Sequence, residues 1–126
     1  MERHVDLLAT LTRLWGALAI LVGVSMLLLA AGALAELLGP VANRVGFAAS
    51  LTAAVFVLIG VFALVWGGAH VWAAVLLKRR SGLGRVLSLA LAIVNLLVLP
   101  FGTAFGAYSL WVLLRDDGRR LFEPAR

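Results

Sequence analysis

In the apolar runs that dominate this chain, His70 is the only ionisable side chain well away from an end. In the parts of these runs expected to span a membrane, residues 14–35, 58–77 and 86–114, the other polar groups are Ser25, Ser88, Asn95, Thr103, Tyr108 and Ser109. An imidazole in such a run has three chemical uses. It can join two helices through a hydrogen bond, relay a proton, or supply one axial bond to a haem or a chlorophyll-type pigment. His70 lies eight residues before Lys78 and Asn95 ten after Arg85, about 12 and about 15 Å along a helix, so the two can meet. The first expectation is a structural hydrogen bond between them, and a pigment or haem held by His70 is the alternative. Thr103 and Tyr108 complete the set of candidate polar contacts within the apolar runs.

No other constellation carries chemistry. Asp116 and Asp117 invite a metal or acid–base reading, but Arg115, Arg119 and Arg120 flank them, so ion pairing is the expected role. No nucleophile, base and orienting acid converge, and Gly82-Leu83-Gly84 lacks the length and context of a phosphate loop. The chain has no cysteine, which excludes thiolate metal and disulfide chemistry. The sequence reads as non-catalytic, with no metal site.

The elements that must position His70 and Asn95 follow from composition. Of 126 residues, 63% are hydrophobic and 13% charged, far from the balance of soluble domains, and the length leaves room for one domain. Residues 14–35 carry no charge over 22 positions, about 33 Å of helix, or one hydrocarbon thickness. Their end, Ala33-Leu34-Ala35, imitates a signal-peptidase site, but the run exceeds a signal sequence and reads as an uncleaved anchor. Residues 46–77 form a second run, too long for one span and too short for two, with a projecting start or a kink at Gly60. Residues 86–114 form a third, broken by Leu99-Pro100-Phe101-Gly102-Thr103 into two arms. The expected helices are 14–36, 46–77, 84–99 and 102–115, with a short loop over 36–45, where Gly39-Pro40 and Asn43-Arg44 have turn composition, and a basic turn over 78–85, where Gly82 and Gly84 suit a tight reversal. An interfacial amphipathic segment at 1–13 and a tail at 116–126, lying on the headgroups with Leu121 and Phe122 dipped in, complete the single domain.

Lysine and arginine accumulate in cytoplasmic loops, so the topologies can be scored. A hairpin at Pro100 puts Arg3, Arg13, Lys78, Arg79, Arg80, Arg85, Arg115, Arg119, Arg120 and Arg126 on one side and Arg44 on the other. An unbroken third helix moves the four C-terminal arginines across and erases the bias. The fold class is therefore all-α: a polytopic membrane protein with four transmembrane helices and both termini cytoplasmic. Trp15, Trp72 and Trp111 fall near the inner boundaries, as an aromatic belt does. The formal net charge of +5 is thereby spent on topology, and nucleic acid is not an expected partner. Each arm of the hairpin has 14 residues, about 21 Å against a core of about 30 Å, so a re-entrant pair stopping inside the membrane stays open beside four full spans.

Where helices touch in lipid, small residues allow close backbone approach. Gly16, Ala19, Gly23, Met26, Ala30 and Ala33 form one stripe, and Ala49, Ala53, Phe56, Gly60, Ala63, Gly67, His70 and Ala74 another. Gly16, Gly23, Gly60 and Gly67 are expected in one seam. Gly102 and Gly106 repeat the device in the last arm.

Residues 75–122 resemble a loose group of small bacterial four-helix membrane proteins. The resemblance lies in a basic turn, then Leu99-Pro100-Phe101-Gly102-Thr103, then Gly106-Ala107-Tyr108-Ser109-Leu110-Trp111-Val112-Leu113-Leu114. It implies a bacterial source, hence the inner membrane, and four helices, with no activity to transfer. Small multidrug exporters of similar length carry a glutamate within the first helix, whereas Glu36 here lies at its outer end. The leading functional expectation is an accessory or self-assembling scaffold, a homo-oligomer or part of a larger membrane complex in the lipid bilayer. A small transporter or oligomeric channel is second, and a pigment- or haem-binding subunit third.

Overall fold

The computed structural model describes residues 1–39 and 42–123, with no side chains described at 42–45. The turn expected at Pro40, the Asn43 and Arg44 side chains, and Arg126 lie outside the described residues. Every element in the described residues is helical: α1 (Glu2–Ala35), a single 3-10 turn (Glu36–Leu38), α2 (Ala42–Lys78), α3 (Gly82–Asn95), α4 (Phe101–Leu114) and α5 (Asp116–Arg120). Neither long helix contains a proline, and both are rich in leucine and alanine, strong helix formers. With 34 and 37 residues, they run about 51 and about 55 Å, each long and apolar enough to cross a bilayer. Helix α2 continues through Gly60 without interruption.

The chain divides into two units, Gly16–Gly68 on one hand and Met1–Trp15 with Ala69–Arg126 on the other. Within Gly16–Gly68, α1 buries Gly16, Gly23 and Ala30, and α2 buries Ala53, Gly60 and Gly67. Both sets recur every seven residues, the repeat by which two helices keep one face together along a left-handed supercoil. The approach is backbone to backbone. A Cβ added at Gly67 would stand 2.6 Å from the Gly16 carbonyl oxygen, and one at Gly60 would stand 3.0 Å from that of Gly23. Leu18, Leu21, Leu28, Leu58, Phe62 and Val65 stay exposed, so only the narrow seam is covered.

In the other unit the core is Val5, Leu8, Ala9, Leu77, Val112, Leu113 and Phe122. Two expectations change here. Residues 1–13 are not a separate interfacial segment. They are the first turns of α1, and Val5 and Leu8 are fully buried against α2 and α4. Their apolar face, legible at helical spacing, meets protein instead of headgroups. The tail also folds: Asp116 and Asp117 open α5 and Arg119 and Arg120 close it, each sign placed where the helix dipole favours it. Phe122 is then carried into the core rather than into lipid.

Boundaries shift as well. Helix α2 starts at Ala42, inside the loop expected over 36–45, and α3 ends at Asn95, not at 99. The reversal after α2 was expected from Gly82 and Gly84, but the left-handed residue is Arg80, with φ 53°. Its N–H reaches the Leu77 carbonyl at 3.0 Å, and the Ser81 N–H reaches that of Leu76 at 3.1 Å. This pair of bonds is the Schellman ending of a helix, and it falls two residues after Lys78, where the sequence has no glycine. Holding an arginine there costs about 1 to 2 kcal/mol. Gly84 serves close packing, since a Cβ there would lie 2.6 Å from the Leu76 carbonyl carbon.

Candidate functional site

Helix α2 brings His70, and α3 brings Asn95, to a point where both side chains are completely buried. The Asn95 amide nitrogen Nδ2 donates to His70 Nε2 at 2.9 Å. Accepting there requires a lone pair on Nε2, so the ring is neutral and carries its proton on Nδ1. An axial bond to iron or magnesium would need that lone pair to point into open space. At Nε2 the amide already occupies the direction, so this nitrogen does not suit a haem or pigment without breaking the pair.

Asn95 Oδ1 and Ser88 Oγ, seven residues apart on the buried face of α3, have no hydrogen-bond partner among the described residues. No group of three His, Cys, Asp or Glu that could hold a metal occurs among the described residues.

The remaining candidates are dispersed. Thr103 Oγ1 donates to the Leu96 carbonyl at 2.9 Å, closing the α3–α4 connection. Ser25 and Ser109 donate to the Leu21 and Phe105 carbonyls within their own helices. Tyr108 is partly buried and packs against the core: its hydroxyl shares a 3.2 Å hydrogen bond with His4 Nδ1, and its ring stacks on Trp111, which carries the Arg115 guanidinium 5.1 Å above it. His4 had no signal in the sequence, because it sits 104 positions from its partner. Gly102 and Gly106 let α4 close on α3. Added Cβ atoms would stand 2.6 Å from the Asn95 carbonyl oxygen and 2.5 Å from that of Ala92.

Charges are spent near the basic turn. Arg80 pairs with Asp6 at 3.0 Å, Arg85 Nε donates to the Leu113 carbonyl, and Arg119 pairs with Glu123 at 3.6 Å. Among the described residues neither Asp116 nor Asp117 enters an ion pair, and they act at the start of α5. An apolar groove of about 1170 Å³ runs along α2 between Ser50 and Val65. Among the described residues the one hydroxyl lining it, Ser50, donates to the Gly46 carbonyl.

The pair gives a measurable expectation. His70→Gln keeps an acceptor for Asn95 and retains most of the stability, whereas His70→Leu lowers it by about 0.6 to 1.7 kcal/mol, the range of interhelical bonds in lipid. Thermal unfolding in detergent checks this. Equal stability of the two variants, or a Soret-type band in the purified wild type, would contradict the structural role.

Comparison with protein-family models, with curated proteins and with solved structures gives no match.

Proposed function

We propose that this chain is a non-catalytic integral membrane protein of the bacterial inner membrane, an accessory or self-assembling scaffold subunit with four membrane-embedded helices. In this reading α1 and α2 cross the bilayer, the α3–α4 hairpin enters and returns on the cytoplasmic side, and both termini lie on that side with the turn at residues 78–85. The observation that carries it is the surface of the Gly16–Gly68 pair. Outside a seam of six small residues, its large side chains over residues 16–35 and 46–68 are apolar and predominantly exposed. Such a surface recognises hydrocarbon or other helices and nothing polar.

Transport needs a polar route, commonly with ionisable groups near midplane. The one intramembrane histidine is instead fully buried and hydrogen-bonded. Extraction from native membranes in a mild detergent tests the proposal. A scaffold emerges as a species heavier than one 13.4 kDa chain, either a homo-oligomer or a complex with other membrane proteins.

A further inference from the structure

We infer that the α3–α4 hairpin is re-entrant: its tip ends among the lipid acyl chains inside the hydrocarbon layer and does not reach the far headgroups. This deepens the membrane reading above and rests on it.

Two independent features point the same way. The first is reach. Helix α3 has 14 residues and α4 has 14, so each rises about 21 Å, short of a core about 30 Å thick.

The second is the chemistry of the tip. Leu97 is 81% exposed, Leu99 79% and Phe101 76%. No polar side chain lies between Asn95 and Thr103. A turn that surfaces among headgroups carries charges, amides or interfacial aromatics, as the turn at residues 78–85 does with its lysine, three arginines and serine. At the opposite end of the same hairpin Arg85, Trp111 and Arg115 supply such anchors.

Part of the tip's backbone is satisfied from within, which lowers the cost of placing it where no water is. The Leu97 N–H reaches the Val94 carbonyl, the Val98 N–H that of Asn95, and the Thr103 N–H that of Val98, at 3.0–3.1 Å, while the N–H groups of Leu99, Phe101 and Gly102 have no backbone acceptor among the described residues. The Thr103 hydroxyl takes the Leu96 carbonyl, and Pro100 has no N–H to satisfy. Asn95, one turn below, fixes the hairpin to α2 through His70.

Nitroxide labels on single cysteines test the depth, and the chain has no cysteine to interfere. Leu99→Cys is compared in lipid vesicles with Val65→Cys in the expected span of α2 and with Ser81→Cys in the basic turn. Leu97→Cys serves as a second tip position, and both tip side chains are exposed enough for the substitution to disturb little. Oxygen partitions into hydrocarbon and a neutral nickel chelate into water. The expected result is that both tip labels match position 65: relaxed by oxygen, with loss of the nickel effect seen at position 81. Nickel access at the tip with protection at position 65 would overturn the re-entrant hairpin while leaving the membrane reading intact. Nickel access at position 65 as well would overturn both.

Discussion

Gly67→Leu is expected to destabilise the protein in detergent by about 3 kcal/mol, the upper end of what overpacking costs. Gly68→Leu, one position along the same helix, is expected to cost nothing measurable. The difference comes from what a first side-chain carbon would meet. At Gly67 it would lie 2.6 Å from the Gly16 carbonyl oxygen and 2.9 Å from the Ile20 amide nitrogen, while at Gly68 nothing lies within 4 Å. Backbone atoms cannot rotate away as a flexible side chain can, so α1 and α2 must separate. The loss would spread along the seam, since Gly23 and Gly60 meet one heptad away. Thermal melts of the two variants decide the matter. Equal midpoints would mean that the small residues are not where these helices touch.

Leu8→Ala is expected to cost about 2 to 5 kcal/mol, as truncation of a fully enclosed leucine does. Leu8 has no exposed surface and packs in one cluster with Val5, Leu77, Val112, Leu113 and Phe122, which join both ends of the chain to α2 and α4. Leu7, its neighbour, is half exposed, and Leu7→Ala should leave stability within about 0.5 kcal/mol of wild type, as surface substitutions do. If residues 1–13 lay on the bilayer surface instead, the two truncations would weaken membrane association alike and neither would shift the melting midpoint strongly.

These pairs of neighbours also show what could be read without coordinates. The glycines at 16, 23, 60 and 67 are legible because backbone contact between helices needs a missing Cβ, and the seven-residue spacing names the face. His70 and Asn95 are legible because few other polar groups are available at that depth. The role of residues 1–13 was not, since an apolar stripe at helical spacing looks the same whether it will meet protein or headgroups. Phe122 escaped for a related reason: a short charged tail gives no hint that α5 will form and fold it back. The reversal at Arg80 was hidden by two glycines close by, because a left-handed position is fixed by where α2 ends; of those glycines Gly84 serves close packing, and nothing lies within 4 Å of a Cβ added at Gly82.

The most direct test of the scaffold role is the mass and composition of the complex released from native membranes by a mild detergent, measured by native mass spectrometry. The account predicts an integer multiple of the 13.4 kDa chain, or that chain in fixed stoichiometry with other membrane proteins, and no visible chromophore. A lone chain from native membranes, or a species whose mass includes a bound pigment, would contradict it.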